Sequence, residues 1–174
     1  TKIPRFNFEK FRGTEERLST SMKSVGEVMA MGRTFEESLQ KALCSLETGM
    51  NGLKEINLMP EGVDFHAQHI LAGLSQPRPD RILIVAQAFR HGFTVDEVYE
   101  HCKFDKWYLE RIQSLVAYEE KIRKNGVTNW LEAKQLGFSD ARIAELTGKK
   151  TTDVTKARHK AGVRPVYKRV DTCS

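Results

Sequence analysis

From Thr34 onward the chain is a succession of short amphipathic runs, many opened by a capping residue and most closed by glycine. That punctuation constrains the fold more than any other feature. Helices of this length are marginal alone in water, so each must bury its apolar stripe against another. Thr34 and Glu37 stand at capping-box spacing, where each side chain satisfies the other residue's free backbone donor. Behind them Phe35, Leu39, Ala42, Leu43 and Leu46 keep to one face, and Gly49 supplies the stop.

The same reading runs down the chain. Gly52, Pro60 and Gly62 mark a long loop before a shorter amphipathic helix over residues 65–74, which Pro77 and Pro79 break. Residues 80–90 have two readings. Ile82-Leu83-Ile84-Val85 suits a buried strand, but Ile82, Val85, Ala86 and Phe89 also fall at helical spacing. With Pro79 before and Gly92 after, a helix matches the length better. Thr94 and Glu97 form a second capping box opening a short helix to Cys102.

The longest element covers residues 105–125, roughly 30 Å as a helix. Phe104, Tyr108, Ile112, Leu115 and Ile122 share one face, with Gly126 as terminator. Glu119 intrudes on that stripe. Arg123 lies four residues on, in the favourable order for an ion pair, so a solvated edge position is expected for Glu119. Three short helices follow, each ended by a glycine: residues 128–136, 139–147 and 152–161.

The beginning is different. Pro4, the aromatic and basic run from Arg5 to Phe11, and Gly13 read as extended or irregular chain. Phe6 and Phe8 alternate with polar residues as in a short half-buried strand. No partner strand is evident, so this strand is expected to pair outside the sequence, and residues 1–20 to be loosely held without that partner. The fold class is therefore all-α: an irregular bundle of about seven or eight helices with an extended N-terminal segment.

At 174 residues the chain has room for one domain and a core that needs no covalent staples. No apolar run approaches the roughly 18 residues that cross a bilayer. Thr1 in place of Met suggests a processed or excised piece. The net charge of +5 is local. Residues 147–174 hold Lys149, Lys150, Lys156, Arg158, Lys160, Arg164, Lys168 and Arg169 against only Asp153 and Asp171, while the rest is nearly balanced. Cys44, Cys102 and Cys173 are widely spaced and odd in number, which fits a reducing, cytoplasmic setting.

A catalytic reading has little support. The sequence holds no Gly-rich phosphate loop, no nucleophile elbow and no histidine pair at metalloprotease spacing. His66 and His69, three apart on one expected helix, supply two metal ligands and need a third from elsewhere; two surface histidines is the plainer reading. Cys102 beside His101 reads as a packed cysteine, since adjacent helix residues point apart. Ile143-Ala144-Glu145-Leu146-Thr147-Gly148 followed by Val154, Lys156, Ala157 and Arg158 resembles a helix-turn-helix with a basic second helix, although Lys149 stands where an apolar residue is usual. A nucleic-acid-binding module of this kind is the alternative reading of the chain.

One segment shifts the balance. Met22-Lys23-Ser24-Val25-Gly26-Glu27-Val28-Met29-Ala30-Met31-Gly32-Arg33-Thr34, preceded by Thr1-Lys2-Ile3-Pro4-Arg5-Phe6, closely resembles the large subunit of carbamoyl-phosphate synthetase. The similarity falls where the first ATP-grasp half passes into the helical connection, or oligomerisation, domain. It continues through Phe35-Glu36-Glu37-Ser38-Leu39-Gln40-Lys41-Ala42-Leu43 and returns at Asp105-Lys106-Trp107-Tyr108-Leu109. It reappears at Gly137-Phe138-Ser139-Asp140 and at Pro165-Val166-Tyr167-Lys168-Arg169-Val170-Asp171-Thr172-Cys173. Between Gly49 and Pro79 only helix-and-loop character is shared.

The resemblance implies an organisation and a role. Residues 1–20 would be the tail of the upstream ATP-grasp (carboxyphosphate) domain, 21–165 the connection domain, and 166–174 the start of the second synthetase half. The parent enzyme would be a cytoplasmic ATP-dependent ligase, using Mg or Mn with ATP. It would make carbamoyl phosphate from bicarbonate, glutamine-derived ammonia and two ATP, for pyrimidine and arginine biosynthesis. This segment alone would be non-catalytic, with no cofactor of its own and no catalytic, cofactor-binding or metal residue. Its implied partners are a second copy (dimer or tetramer), the flanking ATP-grasp halves and a glutaminase small subunit, with no nucleic acid and no membrane. Glu27 would line the path of carbamate between the halves and Lys23 would hold the turn, with Gly26 allowing close backbone approach. The plainer reading is that Lys23 and Glu27, four apart, pair or cap locally.

Overall fold

The computed structural model describes residues 1–6, 17–58 and 67–169. Two strands, β1 (Lys2–Phe6) and β2 (Ser24–Met29), pair antiparallel, with Ile3 opposite Val28 and Pro4 opposite Glu27. Pro4 has no amide hydrogen to give, which a sheet tolerates at an edge. This corrects one expectation: the strand ending at Phe6 finds a partner inside the chain. Residues 7–11 of the expected extended run lie outside the described residues.

Eight helices follow among the described residues: α1 (Phe35–Ser45), α2 (Ala67–Ser75), α3 (Arg81–Arg90), α4 (Val95–Cys102), α5 (Lys106–Asn125), α6 (Trp130–Gln135), α7 (Asp140–Thr147) and α8 (Thr151–Lys160). The segment after Asp80 is thus helical, Arg81–Arg90, and the mostly helical fold stands. Two helix starts carry the expected caps. Thr34 Oγ1 accepts from the Glu37 N–H at 3.2 Å, but the Glu37 carboxylate takes the Arg33 N–H at 2.8 Å, one residue upstream of the cap. At Thr94 the reciprocal pair is complete, with Glu97 accepting from the Thr94 N–H at 2.7 Å.

The long α5 is the spine against which α1, α3, α4 and α7 pack. Its Leu109, Ile112, Leu115 and Ile122 are buried with Ile84 and Val85 of α3, Val98 of α4 and Ile143 of α7. Each such side chain removed from water contributes about 2 kcal/mol. One residue expected on a core face sits elsewhere. Tyr108 is half exposed while its neighbour Leu109 is buried, and Phe35 is only partly covered. Ile112, Leu115 and Ile122 hold the expected face, and Tyr108 lies at its margin against the Phe35 ring of α1.

Candidate interaction site

Charge clusters hold the helices in register. Glu119 on α5 is buried, receiving Arg90 of α3 through Nε at 3.1 Å and NH2 at 2.9 Å. Arg142 of α7 stands 3.0 Å from the same carboxylate, and its other terminal nitrogen lies 2.7 Å from Glu55. Arg123 joins Glu119 to Glu55. Arg90 also donates to the Leu53 carbonyl at 2.7 Å, tying the loop before α2 to the same knot. The expected Glu119–Arg123 pair is present, but the solvated edge position is not. Arg90 and Arg142 arrive from distant helices and compensate the charge where periodicity alone places it near water. Burial by itself raises the Glu55 carboxyl; Arg142 and Arg90 outweigh it and hold it at about 2.

A second clamp joins α7 to α8. Arg158 donates to the Asp140 carboxylate from Nε at 3.0 Å and NH2 at 2.8 Å, with Thr155 and Lys134 at 2.8 and 3.1 Å. The helix-turn-helix outline is therefore real, with Gly148 at φ 65° making the turn. Its chemistry differs from a nucleic-acid reader: Arg158, counted among the basic residues of the second helix, is buried and faces inward.

Lys23 and Glu27 do not meet. Glu27 lies in β2, and four residues of extended chain separate side chains by about 13 Å. Glu27 pairs instead with Lys2 across the sheet at 2.8 Å, both half exposed, while Lys23 donates to the Arg17 carbonyl at 2.5 Å. A side chain at Gly26 would meet nothing within 4 Å. The local pairing of Lys23 with Glu27 is thus replaced by separate partners, Lys2 for Glu27 and the Arg17 carbonyl for Lys23.

His69 lies on α2, and His66 lies outside the described residues. No group of three His, Cys, Asp or Glu suited to a metal stands together among the described residues. Cys102 packs in the core with its sulfur accepting from the Phe104 N–H at 3.4 Å, while His101 is exposed beside Ser75. Cys173 is outside the described residues.

Sequence reasoning overlooked a surface. Phe35, the first residue of α1, meets Tyr108 edge-on at 5.1 Å and Trp107 at 5.8 Å, and those two rings are perpendicular at 5.0 Å. Trp107 and Tyr108 remain 50% and 48% exposed. Arg111 lies over the Trp107 ring at 5.6 Å. The signal available in the sequence was the adjacent pair Trp107-Tyr108, which cannot both face a core from one helix turn.

A helical body pinned by buried ion pairs and carrying an uncovered aromatic group has the build of a docking and assembly domain. No helix among the described residues is long and apolar enough to cross a membrane. The family model for the carbamoyl-phosphate synthetase large chain, oligomerisation domain, matches residues 27–162, and the chain belongs to that family. It is 53% identical over its whole length to the carbamoyl phosphate synthase large chain of Brucella melitensis biotype 1. The corresponding figures are 52% for that of Mesorhizobium japonicum and 49% for that of Neisseria meningitidis serogroup A. The chain spans only 15 to 16% of the length of these relatives.

Proposed function

We propose that this chain is the connection and oligomerisation segment of a carbamoyl phosphate synthase large chain. The parent is a cytoplasmic ATP-dependent ligase that makes carbamoyl phosphate from bicarbonate, glutamine-derived ammonia and two ATP, with a glutaminase partner supplying the ammonia. The segment's own work is structural: it spaces two ATP-grasp halves, takes part in self-association, and performs no bond-making step. Residues 1–20 belong to the upstream half, 21–165 to the connection domain and 166–174 to the downstream half. The observation that carries this reading is identity near one half along the entire chain, with the family match unbroken from residue 27 to 162.

The parent's ATP and Mg or Mn do not fit the described residues. The buried Glu119 and the partly buried Asp140 carboxylates are already occupied by arginines, and no metal-ligand group is assembled among the described residues. No step is routed through these residues. Glu27, exposed on β2, would face the carbamate path, and Lys23 would hold the chain entering that strand through the Arg17 carbonyl.

The test is a chimera. These 174 residues replace their counterpart in the Brucella melitensis large chain, and carbamoyl phosphate formation from glutamine is measured. Activity within a few-fold of the parent is expected. A folded chimera that hydrolyses ATP without making product would sink the connecting role. Sedimentation equilibrium of the same chimera over a wide concentration range tests self-association, and a monomer throughout would overturn that part.

A further inference from the structure

We infer that the aromatic face formed by Phe35, Trp107 and Tyr108, with the exposed Met31 on the chain that enters α1, is the seat of the domain that precedes Thr1 in the longer chain. This rests on the reading that the 174 residues are an internal segment of a large chain. Three observations carry it. The Thr1 backbone nitrogen lies 2.8 Å from the Ala30 carbonyl oxygen, and its hydroxyl meets Ser38 Oγ at 2.6 Å. Met31 follows Ala30 directly and is 60% exposed, and Ser38 is one turn, about 5 Å, along α1 from Phe35. Any polypeptide arriving at Thr1 therefore enters beside the uncovered rings.

Size decides between this occupant and a second copy. Aromatic side chains cover about 150–250 Å² each when fully buried, so the exposed parts of Trp107, Tyr108 and Met31 offer roughly 300 Å². Separate chains need about 800 Å² per partner for a standard interface. A tethered domain faces effective concentrations on the order of millimolar, so a smaller patch suffices.

Hydroxyl-radical footprinting of the full-length large chain, at high and at high-dilution concentrations, tests the assignment alongside lysine cross-linking. Against the same chain unfolded in urea, bare half-exposed rings would react about twofold more slowly; covered ones should react about tenfold more slowly, or slower still. Protection of Trp107, Tyr108 and Met31 at both concentrations, with cross-links from Lys106 to residues ahead of Thr1, is expected. Twofold protection at both concentrations would mean a bare face and overturn the inference. Protection lost on dilution would assign the face to a second copy, and cross-links only to chain beyond Ser174 would assign it to the downstream half. Either also overturns it. The footprint is read without turnover, so an inactive chimera leaves this result standing by itself.

Discussion

The guanidinium of Arg142 faces the carboxylate of Glu119 across the α5–α7 contact at 3.0 Å, with the side chains 3% and 4% exposed. Nε and that facing nitrogen of Arg142 have no aligned hydrogen bond, so the contact is held by charge more than by directed bonds. Breaking a buried pair by removing one member costs about 3 kcal/mol or more, because the other charge stays out of water. Glu119→Gln and Arg142→Ala should each lower urea-unfolding stability by about that amount. The double variant should lose clearly less than the combined single losses. A loss under about 1 kcal/mol from either single change would show that the knot contributes nothing net.

Asp140 makes the acid limb of stability predictable. Burial alone would raise its carboxyl; the bonds from Arg158, Thr155 and Lys134 prevail and hold it at about 2, below its ordinary 3.8. A depressed folded value stabilises the protein above the unfolded value and loses that contribution as pH falls toward 2. The contribution is about 2 kcal/mol. Arg158→Ala should remove most of it at pH 7 and little at pH 2. Its cost should therefore shrink as acid is added, read from unfolding curves at both ends of that window.

The helices were legible because their ends are written in neighbouring residues: Thr94 with Glu97, Ser139 before α7, Gly148 after it. What escaped was whatever depends on residues far apart in sequence. β2 gives no clean alternation, since Val25, Glu27 and Met29 all face solvent and its partner lies some twenty residues upstream. Glu119 read as a helix-edge residue because Arg90 and Arg142 are invisible to a helical wheel. The aromatic face was hidden similarly: Phe35 and Trp107 were both readable as helix starts, but only the fold brings them to 5.8 Å.

Gln40 is another such residue, an unremarked polar position on α1 that proves wholly buried. Its Nε2 donates to the Leu136 carbonyl at 3.0 Å, and its Oε1 accepts from the Leu53 N–H at 3.3 Å. Gln40→Leu fills the same space but leaves both backbone groups unpaired, at about 2 kcal/mol or more. Stability equal to wild type by calorimetry would mean that neither bond matters.

Gly137 lets the end of α6 approach α1 at the same place. It has φ of 85°, and a Cβ there would stand 3.0 Å from Glu37 Cα. Gly148 has a similar φ of 65° but open space around it. Alanine at Gly148 should cost about 1 kcal/mol from backbone strain alone. Alanine at Gly137 adds a clash with backbone and should cost about 2 kcal/mol more. Equal losses would show that α6 and α1 can separate freely.

Substitution at Glu27 tells stability apart from the proposed role in the passage. Its ion pair with Lys2 is half exposed, and such pairs contribute about 0–1 kcal/mol. Glu27→Gln should therefore leave unfolding of the full-length chain unchanged within about 0.5 kcal/mol. If its carboxylate lines the passage between the halves, the same change should still lower carbamoyl phosphate formed per ATP hydrolysed, because intermediate would escape before reaching the second site. Lys2→Met, which removes the same ion pair but keeps the carboxylate, supplies the control. It should match Glu27→Gln in stability and keep the product-to-ATP ratio of the parent. A ratio lowered equally by both changes would assign Glu27 a role in holding the hairpin and none in the passage.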